Sequence, residues 1–315
     1  MENSFDVILA NLSERAFDPI QAHILRTIRG QTPSGVDYTQ SKWYRQLADT
    51  QWPDGSWGRF HSMDSSVKQV FTTTEAALRR AWDMGLPKDD PVVAESIALM
   101  ERYLRGEQAW LDRTEVHRDG GRSFPVAFRF LIAANISRFD PDNPLLASRR
   151  EICAKNLAVA FEGGALDEDI WWREIRKDDE ILLEAFMIYP AWLLQNCDCM
   201  DDALQRKYLD YLWRREQGIY YLPKFPPCAL RSLEDKRFPA WLGILESLSG
   251  FSLFPEFMRE EALPYLLHEA GRLMHEDIAL PAAPPMIGHY AESWRDKDMR
   301  KTDLLLRMAR IIAKC

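Results

Sequence analysis

The chain lacks any uncharged apolar run of the roughly eighteen residues that a membrane span requires. Its best stretch, Ile181 to Leu194, is shorter and carries Glu184 and Pro190. Basic charge is not in excess either: 48 Asp and Glu stand against 40 Lys and Arg, for a formal charge of −8. With acids and bases interleaved, that balance argues against a broad nucleic-acid surface and against electrostatic attraction to anionic lipid, and leaves only peripheral membrane contact open. HExxH, GxSxG, GxGxxG and P-loop patterns are all missing, so zincin, serine-hydrolase, dinucleotide and P-loop chemistry have no support. No CxxC occurs. The five cysteines, Cys153, Cys197, Cys199, Cys228 and Cys315, are odd in number and irregular in spacing, which suits free thiols in a cytoplasmic protein. Cys197-Asp198-Cys199 is too close for a structural zinc pair, and no metal site is expected. The start, MENSFDVILANLSERAFD, bears Glu2, Asp6, Glu14 and Asp18 where a secretory leader needs a basic end and an unbroken apolar stretch, so no leader is expected.

What the chain does have is helical periodicity. Apolar residues recur at spacings of three and four through segment after segment, and alternation of period two is almost absent. The pattern predicts helices over Phe5 to Ser13, Pro19 to Arg29, Tyr38 to Asp49, Thr73 to Met84, Pro91 to Arg105 and Pro125 to Arg138. It continues over Pro144 to Phe161, Asp178 to Gln195, Asp201 to Arg215, Lys236 to Ser249, Arg259 to Met274 and Thr302 to Ala313. Asp18-Pro19, Asp90-Pro91 and Asn143-Pro144 each place a capping side chain ahead of a proline suited to the first helical position. Thr72-Thr73-Thr74-Glu75 offers another cap with an acid behind it. At 315 residues and 46% hydrophobic, the chain is read as one all-α domain spanning 1–315.

The most specific segment is Gln51-Trp52-Pro53-Asp54-Gly55-Ser56-Trp57-Gly58. Pro53 fixes φ, Asp54 can bond the backbone two residues on, and Gly55 supplies a conformation that other residues reach only at a cost. Between two predicted helices this makes a rigid corner. Trp57 is expected to fold back over the junction, and the Gln51 amide to satisfy backbone groups at neighbouring helix ends.

On Gln51, Gly55 and Trp57 the chain resembles the QW motif of the squalene-hopene cyclase, oxidosqualene cyclase and protein prenyltransferase superfamily. Lys42 and Leu47 fall where that family has a basic and an aliphatic residue, whereas Trp43 and Gln46 replace its small and aromatic ones. Two further segments, Glu216 to Tyr221 and Asp119 to Phe124, each with glycine followed by an aromatic, look like worn versions. The resemblance implies a single α/α toroid of about six antiparallel helix pairs, although an open solenoid would show the same periodicity. It also implies that an apolar small molecule, a linear isoprenoid, is bound in an aromatic-lined cavity and cyclised by protonation. The family's acid motif DxDD and the magnesium-binding DDxxD are both absent; magnesium would enter only with a diphosphate substrate, and no other cofactor is expected.

Two regions could carry the chemistry. Leu166 to Leu183 gathers acids around two indoles: Asp167, Asp169, Asp178 and Asp179 are candidate general acids, and Trp171 and Trp172 could face a cation with their π clouds. The bland alternative is solvated acids at helix N-termini. A proline-rich segment from Pro284 to Arg295 carries His289 and Glu292, a candidate acid–base pair that could remove the final proton, with Tyr290 and Trp294 as binding aromatics. It could equally be a lid. His117, with Glu115 and Asp119 near it, is a weaker candidate, and His23, His61, His268 and His275 read as surface or satisfied helical residues. Two other classes stay open: a carbohydrate-active α/α toroid, glycosidase or lyase, with paired rim carboxylates, and a non-catalytic toroid that binds lipid or a protein partner.

Overall fold

The computed structural model describes residues 2–63, 66–109, 123–177, 183–281, 290–291 and 293–315. Asp178, Asp179, His289, Glu292 and the segment around His117 lie outside them. Among the described residues there are fourteen α-helices and no strand. None of these helices is long and apolar enough to cross a membrane. The chain divides into two compact units, one made of 1–45, 83–85 and 213–315, the other of 46–82 and 86–212.

In the first unit α14 (Lys297–Ile312) is the central element, touched by α1 (Glu2–Arg15), α11 (Phe238–Leu248) and α13 (Leu263–His275). It is buried from Thr302 through Ala309 although it carries Asp303 and Arg307, so those charges need partners within the protein. Glu246 of α11 accepts from Arg307 and from Arg310 at 3.0 Å. Where the periodicity predicts one helix over 259–274, the chain forms α12 (Phe254–Glu261) and α13. The break falls at Ala262, two residues ahead of Pro264, which fits only in the first turn of a new helix.

In the second unit the apolar helix α6 (Ser123–Phe139) packs between α5 (Pro91–Leu104) and α9 (Ile188–Leu194), and α7 (Ala147–Ala160) lies against α8 (Glu168–Ile175) and α9. Asp90 caps α5 by accepting from the Val92 N–H at 3.1 Å, and Asn143 does the same for Leu145. Asp18, by contrast, lies inside its helix, α2 (Asp18–His23), which Phe17 precedes without a side-chain cap. The helix predicted over 178–195 is also revised: α9 begins only at Ile188. Pro190 has to sit in a first turn, and the preceding carbonyls are taken by side chains, Leu183 by the Trp171 indole at 3.0 Å and Ala185 by the Tyr208 hydroxyl at 2.8 Å. Cys197 and Cys199 are joined as a disulfide, so the expectation of five free thiols is corrected for this pair; Cys153, Cys228 and Cys315 are free.

The corner at 51–58 docks on α5. The Gln51 amide donates to the carbonyls of Gly55 at 3.1 Å and Val92 at 2.9 Å, and Ser96 donates its hydroxyl to the Gly55 carbonyl. Gly55 has φ +92°, and a Cβ there would stand 2.5 Å from the Glu95 carbonyl oxygen. Only glycine allows both the turn and the approach. Trp57 is fully buried, its indole donating to Leu47 of α3 (Lys42–Thr50) at 3.1 Å and its backbone N–H donating to Thr74 Oγ1 at 2.9 Å.

Candidate functional site

The bond from Trp57 to Thr74 continues as a short seam. Thr74 and Glu75 donate their backbone N–H groups to the carbonyls of Arg59 and Phe60, at 2.8 and 3.0 Å. The start of α4 (Thr74–Asp83) is thereby held against the segment that leaves the corner. This seam brings His61 to Glu75, with Nδ1 2.8 Å from the carboxylate. From α9, the Tyr189 hydroxyl donates to the other Glu75 oxygen at 2.6 Å. Tyr189 belongs to an apolar, wholly buried helix, so its hydroxyl has to find an acceptor inside the protein.

Burial alone would push the Glu75 carboxyl up, but the hydrogen bonds from His61 and Tyr189 and the charges of His61 and Arg79 outweigh it, leaving the group below its ordinary range. Its place in the first turn of α4 adds the favourable end of the helix dipole. The site therefore holds an ionised carboxylate in a largely apolar setting, reached by water only in part: His61 and Glu75 side chains are 15% and 17% exposed. The two hydrogen-bond donors belong to an aromatic cluster packed edge to face, Tyr189 against His61 at 6.4 Å and against Trp192 at 5.5 Å, while Phe60, next to His61 in the chain, packs against Phe128 at 5.6 Å. Behind Trp192, the Arg138 guanidinium lies between that indole at 4.1 Å and Trp82 at 4.8 Å. The stack stiffens the face that presents Tyr189.

The residues singled out from the sequence are distributed otherwise. Asp167 caps α8, accepting from the Ile170 N–H at 2.9 Å, and Asp169 lies exposed in the same first turn. Trp171 is buried with its indole N–H on Leu183, and Trp172 is half-buried beneath Arg176 at 5.4 Å. Tyr290 and Trp294 belong to the other unit. Tyr290 is buried, its backbone N–H bonding Asp303 at 3.2 Å and its hydroxyl accepting from Arg310 at 2.5 Å; burial pushes its phenol up. Trp294 is half-buried. His23 is fully buried edge-on to Tyr290 at 5.1 Å, and burial, followed by the charge of Arg310, holds its imidazole well below its ordinary range. This second cluster ties α11 to α14 through paired charges. Among the described residues no group of three or more His, Cys, Asp or Glu could hold a metal ion.

Sequence reasoning missed His61, Glu75 and Tyr189, which lie 14 and 114 positions apart and share no motif. One signal was available, the hydroxyl of Tyr189 in the middle of an apolar run. No protein-family model, no curated protein and no solved structure matches the chain.

Proposed function

We propose that this chain binds a linear isoprenoid or a molecule of similar hydrocarbon character and acts on it through a cationic intermediate, with Glu75 as the group that faces and quenches the positive charge. The observation that carries the reading is the half-buried Tyr189–Glu75–His61 constellation, beside an aromatic cluster and adjoining the Gln51–Trp57 corner. An ionised carboxylate in apolar surroundings stabilises a nearby cation far more than it would in water. It is also poised to take the terminating proton. The Tyr189 ring and its aromatic neighbours add unreactive apolar wall beside the carboxylate.

The rest of the proposal follows the sequence resemblance: the helices close into one α/α toroid, Asp178 or Asp179 supplies the initiating proton, and magnesium enters only if the substrate carries a diphosphate. The test is incubation of the purified chain with linear isoprenoid hydrocarbons and diphosphates, with and without magnesium, and mass spectrometry of the products. A cyclised product is expected from the wild type, reduced on the order of 100-fold in Glu75→Gln and less in Tyr189→Phe, with ligand binding retained in both. Binding without product would replace the enzyme by a lipid carrier. Absence of both binding and product would sink the reading.

A further inference from the structure

The paired cysteines stand apart from this site, at the far end of α9. Helix α9 stops at Leu194, and Asn196 takes a left-handed conformation with φ +52°, which turns the chain back on itself. Cys197 and Cys199 follow, both half-buried, with Asp198 exposed between them and their Cα atoms 5.5 Å apart. That separation lies in the ordinary range for a disulfide.

The turn is built, not incidental. The buried Arg150 guanidinium donates to the carbonyls of Leu193 at 2.8 Å, Gln195 at 3.4 Å and Pro141 at 2.6 Å, and to Ser137 Oγ at 3.1 Å. Ser137 in turn donates to the Trp192 carbonyl at 2.8 Å. Every backbone carbonyl from 192 to 195 except that of Leu194 is thus held by the Arg150–Ser137 pair. The Leu194 carbonyl lies 3.3 Å from Cys197 Sγ, where it accepts a thiol hydrogen when the sulfur is reduced. Elsewhere in the chain, burial pushes the Cys153 thiol up, and that of Cys315 up to about 11.

We propose that Cys197 and Cys199 form a dithiol–disulfide exchange site for low-molecular-weight thiols. A thiolate attacks Cys199 Sγ, the sulfur–sulfur bond breaks, and Cys197 leaves with the electron pair, takes a proton from solvent and keeps it as a thiol that hydrogen-bonds to the Leu194 carbonyl. A second thiolate attacks the mixed disulfide at the incoming sulfur, releasing the Cys199 thiol and the oxidised small-molecule disulfide. The balance is one protein disulfide and two thiols giving one dithiol and one small disulfide. Run backwards, it oxidises the pair. The fold holds the two sulfurs together before the bond forms, so it favours the disulfide over the same sequence unfolded.

The experiment equilibrates the full chain in glutathione buffers of graded thiol-to-disulfide ratio, quenches with acid, alkylates the thiols and reads intact and peptide masses. The folded pair is expected to pass from disulfide to dithiol as one step without accumulating a glutathione adduct. Its midpoint should lie about tenfold or more toward reducing conditions from that of the chain in urea. Cys197→Ser and Cys199→Ser, checked for unchanged helical circular dichroism, should each retain one glutathione on the remaining cysteine. Coincident midpoints for folded and unfolded chain would overturn the proposal. So would lasting adducts on the wild-type pair, or a pair that does not respond to the buffer.

Discussion

Gly55→Ala separates two costs that the corner imposes on one residue. The first is conformational: a left-handed backbone costs an L-residue about 1–2 kcal/mol. The second is contact, because the new Cβ would stand 2.5 Å from the Glu95 carbonyl oxygen and 2.8 Å from its carbon, roughly an ångström short of ordinary van der Waals separation. Both obstacles are backbone in the first turns of α5, so the corner has to lift. Lifting stretches the Gln51 bond to Val92 and the Ser96 bond to Gly55, each worth about 0.5–1.5 kcal/mol net. The total loss is about 2–5 kcal/mol. Gly164→Ala is the control, since Gly164 has nearly the same φ, +94° against +92°, but nothing within 4 Å of the added carbon. It should lose only the conformational part, about 1–2 kcal/mol. Urea unfolding at 25 °C followed by circular dichroism measures both. If the units unfold separately, the shift belongs to the transition of the unit containing residues 46–82. Equal losses in the two variants would refute the close docking of the corner on α5.

The Glu75 carboxyl titrates below its usual value of 4.5 in the folded chain. The stability it contributes is therefore fully present above that value and is lost as pH falls through the lower folded one. Urea midpoints of wild type and Glu75→Gln should accordingly converge on acidification from pH 6 towards 3, and a gap constant with pH would contradict the assignment. In the other unit, Glu246→Leu removes the carboxylate that Arg307 and Arg310 share. Leaving buried guanidinium without it should cost about 3–5 kcal/mol in urea unfolding, and adding Arg307→Met should restore much of the loss; a double variant no more stable than the single one would show that the pair does not act as a unit.

Local chemistry was legible in the sequence because its causes are local. Asp90 ahead of Pro91 and Asn143 ahead of Pro144 cap helices as their spacing predicts, and the turn residues of 51–58 form the expected corner. The boundaries at Ala262 and Ile188 were legible as well, from Pro264 and Pro190. They were overridden by continuous apolar periodicity, which cannot tell one long buried helix from two short ones.

The candidate site was not legible in this way, since its three residues come from a loop, a helix start and a distant helix and meet only through tertiary packing. The dense acids of 167–169 attract attention in the sequence, yet Asp167 is engaged as a cap and Asp169 is exposed. A better guide is a polar group embedded in an apolar run, because its desolvation obliges a partner. Tyr189, Glu246 and Arg307 all satisfy that test, and all three have such partners. Exposure then divides them. Arg307 and Glu246 side chains are 2% and 8% exposed, as suits an ion pair that ties two helices. Glu75 and His61, the acceptor of Tyr189 and its neighbour, keep 17% and 15%, so this pair, unlike the ion pair, stays partly open to solvent while the fold holds the carboxylate ionised.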